Sequence, residues 1–435
     1  MRIQRWFQLA LAATILFVWT GVADAQRIQI QWWYSNTGVL QDTIKKFIAD
    51  FNASQTKYEV VGTWKGDYTT VMNQTIAAYR AKQPPHMVQV FEVGTQTMMM
   101  SGAIYPVYQL MLDTGHKVDW SRFVQPVLSY YVTPDNNLLS MPFNSSTPIL
   151  YYNIDDFEKA GIKEPPKTWD EMDAAVKKLK ASGKACGFTT SWQGWTQLEN
   201  YTALHGVPYA DQANGFKGMD AKLEFNSPVV VKHFEMLQRW VKEGEMSYEG
   251  RGATPDPSFS NGKCSMITAS SANIGNFTRN SKFKWNAAPL PVEEGYPIRN
   301  STIGGASLWV LKGHPKAEYE GVAEFLNYLA SPDVQVYWHK TTGYVPITVT
   351  AYEKAKAEGY YKENPIQEVA ILQLTRKQPT DLSRGTRLGN FSQIRDIVDE
   401  ESENIWAGKK TPKQGLDDAV RRGDEILRAF EQMYK

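Results

Sequence analysis

Residues 27–92 alternate between strand and helix patterns, and this feature restricts the possible folds more than any other. The segment RIQIQWWYS (27–35) alternates apolar and polar side chains as a β-strand does. The following segment, 39–54, places its apolar side chains at the spacing of an amphipathic helix. Two more strand patterns, 58–64 and 86–92, enclose the helix pattern 68–83. This alternation predicts an α/β fold with a parallel sheet.

The length of the chain and the helix signals in its second half predict a second lobe of the same kind. With 435 residues, the chain exceeds the usual size of one hydrophobic core. Thr168 and Glu171 have the spacing of a capping box, and Ser227 and Thr411 each precede a proline that can occupy the first helical turn. We therefore expect two α/β lobes of comparable size.

Residues 1–25 predict export of the chain. Arg2 and Arg5 precede an apolar run, 6–19, which is followed by Ala-Asp-Ala at 23–25. A basic start, a short apolar core and an A-x-A site are typical of a secretory signal peptide. The apolar run is too short to span a bilayer comfortably, so we expect cleavage after Ala25 rather than an uncleaved anchor.

The charge balance argues against partners that are recognised through a basic surface. The chain has 47 Lys and Arg against 46 Asp and Glu, and the predicted leader contains two of the basic residues and one of the acidic residues. The mature chain is therefore formally neutral. Nucleic acid and anionic membranes are usually bound through a basic excess, so we expect no nucleic-acid partner.

The two cysteines, Cys186 and Cys264, leave their pairing open. An exported location permits a disulfide, but the sequence does not establish that the two residues lie close together. Neither cysteine belongs to a CxxC motif, and the six histidines stand apart along the chain. We therefore expect no metal, redox centre or other cofactor.

Motifs for catalysis are absent from the sequence. It contains no GxSxG, HExxH or GxxxxGK[ST] motif, and no GxGxxG follows a predicted strand. What recurs instead are loops that combine aromatic residues with small polar residues. Aromatic rings can cover a hydroxylated molecule, and Ser hydroxyls and Gly amides suit an oxyanion. In open α/β sheets such loops lie at the carboxyl ends of strands, where ligands bind.

Several of these segments together resemble a known family. They are EVGTQTMM, PFNSSTPILYYN, SWQGWTQLEN, IGGASLWV, KTTGYVPIT and RLGNFSQIRDIVDEE. In them the chain is similar to the periplasmic sn-glycerol-3-phosphate-binding proteins of bacterial ABC importers, from about Trp32 to its end. The resemblance implies a monomeric, bilobal solute receptor of the maltose-binding class. Its lobes would close on a small phosphate ester and dock on an inner-membrane permease with its ATPase subunits.

The resemblance also assigns a ligand site, to residues that match the family motifs. These residues are Tyr68, Glu92, Ser146, Trp192, Trp195, Ser270, Gly305, Tyr344 and Arg395. One departure from the motif is Ser191, which replaces the glycine before the tryptophan pair and leaves the accepted ligand size open.

The chemistry of these residue types predicts their roles. A phosphate needs hydrogen-bond donors, which the serines, the tyrosine hydroxyls, the Gly305 backbone and Arg395 could supply. Glu92 is acceptor-only when ionised, so it belongs on the glycerol hydroxyls. The two tryptophans would cover the carbon backbone, or an alcohol head group that is esterified to the phosphate.

Ordinary structural roles remain open for several of these residues. The cluster 144–146 could be a simple turn, and the tryptophan pair could be core packing. Arg395 could pair with Asp396 or Asp399. The tyrosines could be aromatic residues at a lobe surface, and the glycines at 304–305 could serve a tight turn.

Two other functions compete with a receptor for glycerol-3-phosphate and for glycerophosphodiesters such as glycerophosphocholine. A receptor for a neutral oligosaccharide would also use aromatic platforms and acidic acceptors. A secreted phosphodiester hydrolase would need a metal site or an activated nucleophile, for which the sequence has no motif.

The predicted ligand residues come from both halves of the chain, so we place the ligand cleft between the lobes. Chain crossings are expected near Ser145, Thr302 and Tyr352. The first lobe would then comprise 26–145 and 303–352, and the second lobe 146–302 and 353–435.

Overall fold

The computed structural model describes residues 26–133 and 135–435. The predicted signal peptide lies outside this part of the chain, so its cleavage site stays a prediction. Within the described residues, ten strands are present. Their bounds are β1 Ile28–Tyr34, β2 Tyr58–Trp64, β3 Met87–Phe91, β4 Ile104–Tyr105, β5 Met141–Ser146, β6 Pro148–Asn153, β7 Cys186–Thr190, β8 Cys264–Ser270, β9 Trp285–Ala288 and β10 Gly304–Leu311.

The strands form two sheets, one in each lobe. The first sheet has the order β2-β1-β3-β10-β4, with β5 also paired to β10. In it, β1 is parallel to β2 and β3, whereas β10 is antiparallel to β3, β4 and β5. The second sheet has the order β7-β8-β6-β9, and β6 is antiparallel to both of its neighbours. Two α/β lobes are thus confirmed, but both sheets are mixed, because β6 and β10 arrive from the other lobe and run against their neighbours.

Helices surround both sheets, and none of those in the described residues is long and apolar enough to cross a membrane. The α-helices are Gly38–Ser54, Tyr68–Arg80, Thr95–Met100, Val107–Asp113, Gln125–Leu128, Ile154–Lys159, Trp169–Ala181, Asn200–His205, Pro228–Glu243, Asp256–Ser260, Ile274–Asn280, Lys316–Leu329, Pro332–Thr342, Val349–Ala357, Tyr360–Glu363, Val369–Thr375, Phe391–Trp406 and Pro412–Tyr434. Tighter 3₁₀ turns occur at Glu92–Gly94, Trp120–Arg122, Ser271–Asn273 and Pro365–Glu368, a wider π-type helix at Gly194–Glu199, and a left-handed turn at Asp211–Asn214.

The predicted helix starts are confirmed, since helices begin at Trp169, Pro228 and Pro412. Side-chain caps are present at the first and the last of them. Thr168 and Glu171 form both bonds of a capping box, and Thr411 forms a second box with Gln414. Such caps satisfy backbone N–H groups that have no partner inside the helix.

Both faces of the first sheet are buried, and β10 shows this most directly. Leu308 and Val310 pack into one hydrophobic cluster, whereas Trp309 and Leu311 pack into the other. Side chains alternate across a strand, so a strand that is apolar at every position needs cover on both sides. This explains why residues 308–311, LWVL, form a continuous apolar run.

The chain passes between the sheets at two places that match the expected crossings. Strand β5 ends at Ser146 in the first sheet, and β6 begins at Pro148 in the second. The return lies between Ala288, the end of β9, and Gly304, the start of β10. Ser146 and Gly305, which lie beside the two passages, line the cleft between the lobes.

The third expected crossing, near Tyr352, falls inside the helix Val349–Ala357. Ala351 and Ala355 of this helix, together with Tyr361, are buried against Val336 of the preceding helix. The chain therefore stays with that helix through this stretch, and the lobe boundaries given above remain a prediction.

Cys186 and Cys264 form a disulfide, which settles the question that the sequence left open. The two residues are directly paired across the parallel strands β7 and β8, and their Cα atoms are 4.6 Å apart. The disulfide joins positions 78 residues apart within the second lobe.

Removal of this disulfide should destabilise the protein. A crosslink that closes a loop of 78 residues restricts the unfolded chain, and we expect it to contribute about 2–4 kcal/mol to the free energy of unfolding. Urea unfolding of the Cys186→Ser/Cys264→Ser variant, compared with the oxidised protein, measures this difference. Equal free energies of unfolding would contradict the expectation.

Candidate ligand-binding cleft

The two lobes enclose a cleft of about 660 Å³ that is lined by elements of both lobes. All nine residues of the predicted ligand site line this cleft: Tyr68, Glu92, Ser146, Trp192, Trp195, Ser270, Gly305, Tyr344 and Arg395. The structure therefore brings together the whole predicted set. Contact of these residues with a ligand stays a prediction.

The cluster Asn144–Ser146 is the end of strand β5, so the interpretation as a simple turn is wrong. Strand β10 pairs with it and places Gly304 opposite Ser146 and Gly305 opposite Ser145. The polar side chains of the cluster are buried as well. The sequence could not show this, because β10 lies far along the chain.

Two serine hydroxyls at the cleft can donate to a ligand. Among the described residues, no hydrogen bond involves the Ser146 hydroxyl, which lines the cleft. The Ser270 hydroxyl oxygen accepts a hydrogen bond from the backbone N–H of Ala272 at 3.2 Å. A hydroxyl that accepts in this way keeps its own proton for another partner.

Gly304 and Gly305 lie in a strand rather than in a tight turn. Gly305 has a φ of +91°, and a Cβ atom there would lie only 1.9 Å from the backbone oxygen of Asn144. A Cβ atom at Gly304 would lie 2.4 Å from Cζ2 of Trp195. Glycine is therefore required by the close approach of β5 and of the Trp195 ring.

The two tryptophans differ in how much of the ring reaches the cleft. Trp195 is only 5% exposed, and its Nε1 donates to the backbone oxygen of Ile303 at 3.4 Å. Trp192 is only partly buried, and its φ of +50° is a strained conformation for a bulky residue. Core packing therefore describes Trp195 well, whereas Trp192 is the more available to a ligand.

The hydroxyls of Tyr68 and Tyr344 meet at Asn144. The Nδ2 atom of Asn144 donates to the Tyr68 hydroxyl at 2.8 Å and to the Tyr344 hydroxyl at 3.1 Å. The Tyr68 ring stacks on Phe91, with ring centroids 5.4 Å apart, and the Tyr344 ring stacks on Trp338 at 5.3 Å. Burial raises the pKa of both phenols. They are fixed, protonated groups of the cleft rather than aromatic residues at a lobe surface.

Arg395 is held by two carboxylates. Its Nε and Nη2 atoms donate to the two oxygens of Glu199 at 2.8 Å each, and Nη2 also donates to Glu92 Oε1 at 2.8 Å. The alternative that Arg395 forms an ion pair with Asp396 or Asp399 is therefore wrong, because its partners are Glu92 and Glu199. Both aspartates lie on the same helix as Arg395, and the guanidinium extends away toward the segments that carry the glutamates.

This geometry changes the expected arrangement of Arg395 and Glu92 in the site. The sequence placed Arg395 on the phosphate and Glu92 on the glycerol hydroxyls, yet the two side chains are bonded to each other. Each keeps a free group, since no hydrogen bond within the described residues reaches Arg395 Nη1 or Glu92 Oε2. The phosphate and hydroxyl parts of a ligand would therefore bind next to each other.

Glu199 is a residue of this network that sequence reasoning missed. It is buried at the end of the π-type helix Gly194–Glu199. Burial raises the pKa of Glu199 to about 7, although Arg395 opposes the shift. Burial alone would lower the pKa of Arg395, but Glu199 and Glu92 raise it, so the guanidinium stays charged. The sequence signal that could have identified Glu199 is its spacing of four positions from Trp195. This spacing is about one helical turn, so it places the two side chains on the same face of a helix.

Four further carboxyl groups line the cleft and were not predicted: Asp67, Asp256, Asp396 and Asp399. Within the described chain, none of them forms a salt bridge with a basic side chain. Burial raises the pKa of Asp256 and of Asp399 to about 6 each, and it raises the pKa of Asp396 as well. Ser191, the departure from the family motif beside Trp192, donates its hydroxyl to Asp256.

Among the described residues, one group outside the cleft has potential metal ligands close together. His86, His314 and Glu318 place such atoms within 4.8 Å of one another. The Nδ1 atom of His86, however, accepts a hydrogen bond from the backbone N–H of Gln31 at 3.0 Å. The ring proton is then on Nε2, which donates to Glu318 at 2.7 Å and has no lone pair for a metal. We interpret the group as a hydrogen-bonded cluster.

Two α/β lobes around a cleft that both of them line define a bilobal ligand-binding protein. Comparison with known proteins narrows this class. Residues 46–367 match the family of bacterial extracellular solute-binding proteins, and the chain belongs to this family.

Relatives within this family are similar over nearly the whole chain. The chain is 46% identical over 432 residues to the sn-glycerol-3-phosphate-binding periplasmic protein UgpB of Salmonella typhimurium, which is 98% of each chain. It is 47% identical over 420 residues to UgpB of Escherichia coli O1:K1, covering 95% of this chain and 96% of the relative.

Solved structures share the fold at lower identity. UgpB from Mycobacterium tuberculosis in complex with glycerophosphocholine has a TM-score of 0.77 at 21% identity, covering 92% of this chain and 98% of that chain. Maltose-bound MalE3 of T. maritima has a TM-score of 0.75 at 18% identity, covering 91% and 98%. The bilobal architecture of the maltose-binding class is therefore confirmed.

Proposed function

We propose that this protein is the solute receptor of an ABC importer and that it captures sn-glycerol-3-phosphate and glycerophosphodiesters such as glycerophosphocholine. The observation that carries the proposal is the set of hydrogen-bond donors that line one cleft. It comprises the Ser146 hydroxyl, the tyrosine hydroxyl protons and Arg395 Nη1, with Glu92 Oε2 as an adjacent acceptor. A phosphate ester of glycerol needs both kinds of group, donors for its phosphate and an acceptor for its hydroxyls.

Phosphate recognition in this cleft would rely on directed hydrogen bonds rather than on net charge. The charged residues that line the cleft are Arg251 and Arg395 against Asp67, Glu92, Asp256, Asp396 and Asp399. An acidic excess opposes an anion at long range, so the phosphate has to be bound by short hydrogen bonds from well-placed donors. A neutral oligosaccharide needs no such donor set, which makes an oligosaccharide receptor the weaker candidate.

The same acidic excess favours a ligand that carries a cationic end as well as a phosphate. The carboxyl groups of Asp256, Asp396 and Asp399 have no basic partner in the described chain and could face such a cation. A quaternary ammonium is also attracted to the face of an indole, and Trp192 is the more exposed indole of the pair. Glycerophosphocholine combines the phosphate, the glycerol and the quaternary ammonium in one molecule.

On this proposal the chain is exported, cleaved after Ala25 and acts as a periplasmic monomer. It delivers its ligand to an inner-membrane permease with its ATPase subunits, and it binds the ester without cleaving it. Incubation with glycerophosphocholine followed by an assay for free choline tests the last statement. Catalytic release of choline would favour a phosphodiester hydrolase instead.

Calorimetric titration with glycerol-3-phosphate, glycerophosphocholine and maltose tests the proposed function. We expect saturable binding of the two phosphate esters and no binding of maltose at the same concentrations. Binding of maltose alone would replace the proposal by an oligosaccharide receptor. Inorganic phosphate and glycerol serve as controls for recognition of the isolated parts of the ligand.

Replacement of Trp192 by alanine should weaken glycerophosphocholine more than glycerol-3-phosphate. The diester carries the ammonium that an indole face attracts, so the additional loss should be roughly 2- to 30-fold in dissociation constant. Trp195→Ala is the matched control, because that ring is buried against Gly304 and should affect both ligands alike. Equal losses for both ligands in Trp192→Ala would remove the head-group role from Trp192.

A further inference from the structure

We propose that Gln89 and Asn144 fix the direction in which the Tyr68 and Tyr344 hydroxyls donate, and that this makes the cleft selective for an acceptor-only group such as a phosphate oxygen. The inference rests on the proposed function, because it concerns how the cleft recognises a phosphate ester. Gln89 and Asn144 are completely buried and do not line the cleft. They are therefore positioning residues, which act on the ligand through the two tyrosines.

The backbone N–H of Ser35 sets the direction of the hydrogen bonds in this network, because an amide N–H can only donate. The Ser35 N–H donates to Gln89 Oε1 at 2.8 Å, and the Ser35 hydroxyl also donates to this oxygen at 3.2 Å. This fixes the amide of Gln89, whose Nε2 must point the other way. Nε2 donates to the side-chain oxygens of Asn36 at 2.5 Å and of Asn144 at 2.8 Å.

The orientation of Asn144 follows from that of Gln89. Since the Asn144 oxygen faces Gln89, its Nδ2 faces the tyrosines and donates to both hydroxyls. A hydroxyl oxygen that accepts from an amide keeps its own proton to donate elsewhere. Both hydroxyls stay protonated, because burial raises the pKa of each phenol.

The two tyrosines therefore offer protons to the cleft that they line. Both hydroxyl oxygens lie within hydrogen-bonding distance of one nitrogen atom and of each other, so they are neighbours. Without a ligand the Tyr68 hydroxyl can donate to the Tyr344 oxygen, whereas a ligand oxygen placed beside the pair can accept from both hydroxyls. A phosphate oxygen of an ionised ester has no proton to donate, so it can only accept hydrogen bonds. An alcohol can donate as well as accept, so a fixed pair of donors favours phosphate over hydroxyl.

The direction of these protons matters because the cleft has an acidic excess. If the neutral hydroxyl donors could turn toward the carboxylates, they would not be available to bind a phosphate. Buried polar groups that are held in one orientation reject a ligand that leaves them unpaired, at a cost larger than packing differences provide. The hydrogen bonds that run from the Ser35 N–H through Gln89 and Asn144 thus leave both tyrosine hydroxyls as donors at the proposed ligand site.

A double-mutant cycle with glycerol-3-phosphate tests the proposal. In Gln89→Glu, the Ser35 N–H still holds one carboxylate oxygen, and the other oxygen attracts the amino group of Asn144. The Asn144 oxygen then faces the tyrosines and accepts their protons. We expect roughly 30-fold weaker binding in Gln89→Glu. In the Tyr68→Phe/Tyr344→Phe background, which has no such protons, the same substitution should change binding by less than about 2-fold.

The cycle separates this mechanism from charge and packing effects, because those effects do not depend on the tyrosine hydroxyls. An equal loss in both backgrounds would overturn the proposal. Gln89→Met gives the same cycle without a new charge, and it should show a smaller loss, of about 5-fold, that also disappears in the phenylalanine background. No loss in a folded Gln89→Met variant would overturn the proposal too. Failure of the unsubstituted protein to bind glycerol-3-phosphate would instead reject the proposed function, and the inference with it.

Discussion

Replacement of Arg395 by alanine should weaken the binding of glycerol-3-phosphate by roughly 30-fold or more, because a buried charged donor at the site is lost. The loss has two sources in the structure. The free Nη1 group disappears from the cleft, and Glu92 and Glu199 lose the cation that they share. The glutamate beside the phosphate would then repel it. Calorimetric titration of the folded variant measures the effect.

Two further substitutions make this result specific. Arg251 also lines the cleft, but its guanidinium is bonded to Glu403 at 2.7 Å and 2.6 Å, so Arg251→Ala removes the same charge and should change affinity by less than about 3-fold. Arg395→Lys should restore binding only in part, since an ammonium cannot reproduce the forked contact with Glu199. Unchanged binding in Arg395→Ala would remove Arg395 from the phosphate site.

Replacement of Gly305 by alanine should destabilise the fold by about 4 kcal/mol or more, because the new methyl group would meet the backbone of β5 in a conformation that only glycine adopts readily. The added Cβ would lie 1.9 Å from the Asn144 oxygen, which cannot move without breaking the β5–β10 pairing. Since Asn144 positions both tyrosine hydroxyls, ligand binding should fall as well. Urea unfolding measures the loss of stability.

Gly313→Ala is the matched control for this substitution. Gly313 also has a positive φ, of +108°, but a Cβ atom there would have no heavy atom within 4 Å. The control therefore measures backbone strain alone, which we expect to cost about 1 kcal/mol. Similar losses in the two variants would contradict the role of the close approach between β5 and β10.

The sequence predicted those features of the fold that are encoded locally. Strand β2 has the predicted bounds Tyr58–Trp64, and the helix Pro412–Tyr434 begins directly after the predicted Thr411. Caps, apolar spacing and prolines act within a few residues, so a short stretch of sequence is sufficient to detect them. The antiparallel return of β10 depends on a partner far along the chain, and for this reason the mixed sheets were not predicted.

The candidate site likewise contains residues that the sequence predicted and residues that it did not. The nine residues that the family motifs predicted, including Ser146 and Arg395, all line one cleft. The groups that control these residues were missed, because they act across long separations. Glu199 is 196 positions from Arg395, and Gln89 is 55 positions from Asn144. Such contacts form only in the tertiary structure, so neither the composition nor the periodicity of a segment predicts them.

We propose that this cleft binds a phosphate ester through donors of both lobes. A crystal structure of the complex with glycerol-3-phosphate tests it most directly. We expect the phosphate within hydrogen-bonding distance of the Tyr68 and Tyr344 hydroxyls and of Arg395 Nη1, with a glycerol hydroxyl on Glu92. A phosphate bound outside the cleft, or bound without contact to these donors, would contradict the proposed mode of binding.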